Sequence, residues 1–273
     1  MSIALGTLGV WQFTPKATPE LAPAAEQQGY GAFWIGGSPA GSLEQVKPLL
    51  DATERITVAT GIVNMWTDDA ATVAASYHRL EGKHPGRFGL GVGIGHPEAV
   101  SEYRSPYDKI VEYLDQLDDA GVPAERRILA ALGPKVLELS AARCAGAHPY
   151  LTTPEHTASA RKILGPDALL APEQKVVLDT DAEQARALGR KMLKRYLPLV
   201  NYRQNWLRSG FSEDDLSGEG SDRFIDAMVL HGDTATIAGG LRAHLEAGAD
   251  HICIQLLGSD LARGYQELAE ALR

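Results

Sequence analysis

Cysteine is scarce in this chain: 273 residues hold only Cys144 and Cys253, at no metal-binding spacing. That excludes a disulfide scaffold and a thiolate zinc site. Cys253 lies in an apolar run, where a thiol packs as a small hydrophobe. Cations are also in deficit, with 26 Lys and Arg against 35 Asp and Glu and a formal net charge of −9. Tracking a phosphate backbone or docking on an anionic bilayer needs clustered cations, so neither a nucleic-acid nor a membrane partner is expected. No apolar run approaches the roughly 20 residues of a membrane-spanning helix. The start, Met1 to Gly6, lacks the basic flank of a secretory signal, so a cytoplasmic location is expected.

Familiar catalytic signatures are missing too. There is no P-loop, and Gly91 and Gly93 are followed by His96 where a dinucleotide loop needs its third glycine. Gly36-Gly37-Ser38-Pro39-Ala40 lacks the closing glycine of a nucleophile elbow. The eight histidines show no ligand spacing, so no metal is expected. His78, His244 and His251 fall within helical or strand patterns and read as structural.

Hydrophobic residues make up 44% and charged residues 22%, ordinary for a globular enzyme with a large core. The most informative stretch is Arg87 to His96, where apolar residues alternate with Gly89, Gly91, Gly93 and Gly95. On a strand every second residue shares a face, so that face is stripped of side chains and open to close approach by a flat ligand or another backbone. Strand-like runs are read at Ile3–Val10, Ala32–Ile35, Ile56–Ile62, Arg87–Gly93, Arg127–Ala131, Gly146–His148, Gln174–Leu178 and His251–Leu256. Helices intervene, with caps legible at Thr67-Asp68-Asp69, Ser105-Pro106 and Thr180-Asp181. Eight strands alternating with helices match a (β/α)8 TIM barrel over residues 1–273 as a single domain. A doubly wound sheet is the competing architecture. Arg195–Phe224 exceeds one barrel helix and predicts an extra helical hairpin over one mouth.

Barrel active sites assemble at the carboxyl ends of strands. Five polar or glycine-rich segments fall there: Gly36-Gly37-Ser38, Gly61-Ile62-Val63-Asn64, Gly93-Ile94-Gly95-His96, Ala131-Leu132-Gly133-Pro134-Lys135 and His148-Pro149-Tyr150. Gly133-Pro134 opens a helix whose free backbone N–H groups suit a phosphate.

Three segments in order, Ala52–Ile62, Pro85–Gly93 and Ala130–Pro134, with Ala247–His251 before the last strand, resemble the bacterial luciferase-like superfamily. The likeness is strongest to its coenzyme F420-dependent oxidoreductases. It implies a (β/α)8 barrel, usually a homodimer, holding a deazaflavin or flavin at the C-terminal mouth. It places Gly61-Ile62 at a non-prolyl cis peptide behind the ring, with Asn64 as a polar contact. Gly93, Gly95 and His96 form the wall of the fourth strand, so a valine at Gly93 is expected to block the ring site. Leu132, Gly133 and Pro134 fall on the phosphate side. Gly37 and Ser38 stand where many relatives carry an acidic residue and a histidine that touch the cofactor.

The implied activity is hydride transfer between F420 and a small organic substrate. The alternatives are an FMN-dependent monooxygenase and a barrel that binds the cofactor without turnover. With Gly37 and Ser38 chemically bare, His96 is the first proton carrier expected, His148 with Tyr150 the second, and Glu173 the third. Trp11, Trp66 and Tyr150 are expected to line the substrate pocket.

Overall fold

The computed structural model describes residues 3–95 and 105–273. Its strands are β1 (Leu8–Phe13), β2 (Ala32–Gly36), β3 (Thr57–Gly61), β4 (Val63–Asn64), β5 (Phe88–Gly93) and β6 (Arg127–Leu129). They continue with β7 (Gly146–Ala147), β8 (Leu169–Leu170), β9 (Glu173–Val177), β10 (Val229–His231) and β11 (Ile252–Leu256). Every pairing is parallel, in the order β10-β9-β11-β1-β2-β3-β5-β6-β7-β8, with β4 on β5. Only Ala171 and Pro172 separate β8 from β9. There Ala171 N donates to Ala147 O at 2.9 Å and Cys253 N to Pro172 O at 2.9 Å. The run from Leu169 to Val177 therefore joins β7 to β11 and closes the ring. The architecture is the expected barrel, and the doubly wound alternative falls away.

The helices arise where the capping residues predict them. Asp69 opens α3 (Ala70–Glu81), Ser105 opens α4 (Pro106–Asp119) and Asp181 opens α7 (Ala182–Leu193), each side chain accepting from a first-turn N–H. Outward strand residues such as Phe33, Val58, Leu90 and Val92 pack under the helices, against Leu49, Val73 and Leu241 among others. A fully buried side chain of this size contributes roughly 1.5–3 kcal/mol. Inside the barrel a smaller cluster holds Leu5, Trp11, Trp34, Ala59, Ile128 and Cys253.

Some boundaries differ from the sequence reading. The first strand is Leu8–Phe13 rather than Ile3–Val10, because Gly6 turns the chain at φ +64° before pairing begins. Three strands, β4, β8 and β10, have no counterpart in the strand-like runs; at two or three residues each they carry no periodicity, and their neighbours set their register. The segment 195–224 supplies the extra helical element expected. It holds one helix, α8 (Val200–Arg208), an acidic turn, and the start of α9 (Asp222–Met228). Trp206 ties α8 down by donating from Nε1 to Leu151 O at 3.0 Å. Arg186 bridges Asp222 and Asp226 from α7. Among the described residues no helix is long and apolar enough to cross a membrane.

Candidate active site

A cavity of about 800 Å³ opens at the carboxyl ends of β1 to β7. Phe13, Gly37 and Ser38, Gly61 and Ile62, Asn64, Ile94 and Gly95, Ala130 to Gly133, and His148 with Tyr150 supply one wall after another. Residues 195–208 close the far side through Arg195, Tyr196, Leu199, Tyr202 and Arg208. The five rim segments expected from the sequence thus converge on one chamber.

Its floor is built around Gly61. The Gly61–Ile62 peptide is cis, as the resemblance implies, and Ile62 faces the cavity. A methyl group on Gly61 would stand 2.5 Å from Trp11 Nε1 and 3.3 Å from His148 Nε2. Both nitrogens are buried and have no hydrogen-bond partner among the described residues. His148 Nδ1 lies 2.7 Å from Ala171 O, so Nδ1 carries the proton and Nε2 presents a lone pair. Burial is the largest cause that pushes the His148 pKa down to about 4, with the nearby Lys175 ammonium acting in the same direction. His148 is therefore an acceptor at neutral pH, not the proton donor expected.

Glu173 departs further from expectation. It lies on β9, fully buried, with both carboxylate oxygens 3.0 Å from Lys175 Nζ, and it does not line the cavity. Burial raises its pKa, while Lys175 pulls it back. The two side chains share one face of the strand because they stand two residues apart. Lys175 Nζ also sits 3.8 Å from the centre of the Tyr150 ring, a cation held beneath the cavity's aromatic wall. Tyr150 hydroxyl is 3.1 Å from that of Tyr196, to which Arg195 donates at 2.8 Å.

Other expected residues fall differently. His96 lies outside the described residues. Gly93 does not face the open cavity: an added Cβ would meet Ala130 Cβ at 2.8 Å and the Ile62 side chain at 3.0 Å. The glycine face of β5 is mostly filled by protein, most tightly at Gly91, where a Cβ would stand 1.8 Å from Thr60 O. Pro134 is the first residue of α5 (Pro134–Arg143), set back from the cavity that Leu132 and Gly133 line. Trp66 is also outside it, and its backbone N–H donates to Asn64 Oδ1 at 2.9 Å. Asn64 therefore anchors its own loop while lining the chamber. His244 and His251 are structural, bonded to Thr157 and Gln174 and to Gly6 and Trp34 respectively.

The electrostatics are one-sided. Lys135, Arg195 and Arg208 line the cavity, and no carboxylate does among the described residues, in a chain of net charge −9. Lys135 has no partner among the described residues. Arg208 makes one long contact, to Asn205 Oδ1 at 3.5 Å, and stands 3.9 Å from the point a Gly133 Cβ would occupy. No local spacing marks Arg195 or Arg208 beyond their place in an overlong connection.

A family model described as luciferase-like monooxygenase matches residues 3–251. The chain belongs to the luciferase-like monooxygenase family. Members of this family are oxidoreductases. Over 118 residues the chain is 31% identical to the N-acetyl-S-alkylcysteine monooxygenase of Bacillus subtilis; the match spans 38% of this chain and 35% of that protein. Its fold is similar to an F420-dependent secondary alcohol dehydrogenase solved with an F420–acetone adduct (TM-score 0.77, 17% identity, 98% and 99% of the two chains). It is also similar to the FMN-bound oxygenating constituent of 3,6-diketocamphane monooxygenase from Pseudomonas putida (TM-score 0.68, 16% identity, 97% and 96%).

Proposed function

We propose that the protein is an F420-dependent oxidoreductase that transfers a hydride between the deazaflavin and a small organic substrate. The observation that carries this is the charge of the cavity: among the described residues, three cations and no carboxylate surround an apolar chamber. F420 carries a phosphodiester and a tail of glutamate carboxylates, more negative charge than the single phosphate of FMN. Lys135 and Arg208, beside the N-terminus of α5, suit those anions. Gly61, Ile62 and Gly95 leave a low wall that suits a flat ring, with Asn64 as polar edge. The resident groups therefore fit a deazaflavin. When bound, that group supplies two-electron redox chemistry; the protein supplies position and proton control.

Tyr150, Tyr202 and Leu199 exclude water from one side of the chamber. His148 presents a lone pair at Nε2 and, with burial pushing its pKa down to about 4, stays neutral and accepts a hydrogen bond at neutral pH rather than giving up a proton. The bare positions Gly37 and Ser38 place no acid–base group after β2.

An FMN-dependent monooxygenase is the second reading, favoured by the partial identity to the Bacillus enzyme. Fluorescence titration of the apoprotein with F420 and with FMN separates the two. F420 is expected to bind tighter; tight FMN binding without F420 binding overturns the proposal.

A further inference from the structure

Trp11 and His148, neighbours around Gly61 at the cavity floor, present ring nitrogens of opposite hydrogen-bonding character. Trp11 Nε1 can only donate, and His148 Nε2, with Nδ1 protonated against Ala171 O, can only accept. Both residues are almost fully buried, at 1% and 2% exposure, and both line the cavity. Neither nitrogen has a partner among the described residues, although a buried polar atom left unpaired costs roughly 1–3 kcal/mol. The two nitrogens lie 2.5 and 3.3 Å from the position a Gly61 Cβ would take, so they stand no more than about 5.8 Å apart, within the span of two hydrogen bonds of about 2.9 Å to one shared oxygen.

The pair is held stiffly. The Trp11 ring packs edge-on against Phe13 at 4.8 Å, and Gly36 must lack a side chain for that ring to lie where it does, a Cβ there standing 2.0 Å from it. His148 stacks on Trp34 at 4.5 Å, and Trp34 is fixed in turn by its bond to His251. Such rigidity is how a site selects a ligand group rather than adapting to one.

We infer that Trp11 and His148 form a subsite for a single aliphatic hydroxyl of the substrate. The Trp11 N–H donates to its oxygen, and its O–H donates to His148 Nε2. A carbonyl of the same shape satisfies Trp11 alone and leaves His148 Nε2 unpaired; a hydrocarbon satisfies neither. A site built to bond a hydroxyl rejects analogues lacking it because its own buried groups are then left unpaired. The inference rests on the cavity being the substrate chamber, and not on which cofactor it holds. A ribityl hydroxyl of the cofactor offers the same chemistry, so the test separates the two sources.

The test uses nitrogen–proton NMR on the apoprotein, with the Trp11 indole signal assigned by its loss in Trp11→Phe. Cyclohexanol is expected to move the Trp11 indole signal and the His148 Nε2 resonance together. Cyclohexanone should move Trp11 only and bind about tenfold more weakly, the loss of one buried hydrogen bond; cyclohexane should move neither. Trp11→Phe and His148→Asn, each checked for an unchanged fold by circular dichroism, should each weaken cyclohexanol about tenfold. The wild-type spectra decide the matter if a variant fails to fold. No cyclohexanol shift up to its solubility limit overturns the inference, as does an equal response to the ketone. A shift produced by F420 or FMN but not by cyclohexanol assigns the pair to the cofactor and overturns the substrate site. Failure of F420 to bind while cyclohexanol still moves Trp11 would count against the proposed cofactor and leave the subsite standing.

Discussion

Removing one partner of the Glu173–Lys175 pair is the sharpest test of how the barrel holds its buried charges. Both side chains are inaccessible to solvent, and both carboxylate oxygens lie 3.0 Å from the ammonium. Glu173→Leu leaves Lys175 buried with only the Tyr150 ring for company. Breaking such a pair costs about 3–5 kcal/mol. In a chain of this size each kcal/mol moves the melting temperature by roughly 2–4 °C, so a fall of about 6–20 °C is expected. Lys175→Met should sit at the lower end, because the stranded carboxyl escapes by taking up a proton, and its penalty should shrink as the pH falls. The double variant Glu173→Leu/Lys175→Met removes both charges together. It loses the cation beneath Tyr150, worth about 0.5–2 kcal/mol, and a 3.5 Å bond from Leu151 N, and should otherwise return close to the parent stability. Urea unfolding of the four proteins, followed by circular dichroism, measures the coupling. Single variants within about 1 kcal/mol of the parent, or a double variant as unstable as both singles combined, would show that the two charges do not depend on each other.

Three further outcomes follow from the geometry. Gly93→Val should cost about 1–3 kcal/mol by overpacking against Ala130 and Ile62, and weaken cofactor binding only through the displaced Ile62; thermal melts beside a ligand titration check it, and an unchanged melt contradicts it. Burial holds His148, His244 and His251 near pKa 4 against an ordinary 6.5, so the unfolded chain takes up their protons first as the pH falls. Stability should therefore drop between about pH 6.5 and 4, by up to about 3 kcal/mol per ring. A urea midpoint that stays flat across that window opposes this. Lys135→Ala and Arg208→Ala should each weaken F420 by about three- to tenfold and reduce the salt dependence of binding, while neutral alcohols bind as before; salt-series titrations measure both.

The barrel was legible because its strands repeat a physical pattern: a short apolar run, a polar turn, a capped helix. Asp69, Ser105 and Asp181 marked helix starts through chemistry that acts within one turn. The rim segments were legible for the same reason, since strand ends follow from strand positions. Side-chain direction was harder to read. Gly93 and Gly95 share a face, yet Ile62 and Ala130 fill the space above Gly93, a fact fixed by neighbouring strands. Glu173 looked like a loop carboxylate because β9 begins with it, and only the period-two spacing to Lys175 hinted at a buried pair. Arg195, Tyr196 and Arg208 reach the cavity through the fold-over of a long connection, which no local spacing encodes.

A crystal structure of the protein with F420 bound tests the cofactor assignment and its charged binding site together. The deazaflavin ring is expected against Ile62, with its phosphate beside Gly133, Lys135 and Arg208. A cofactor bound outside this cavity, or one whose phosphate points away from those cations, would contradict that assignment.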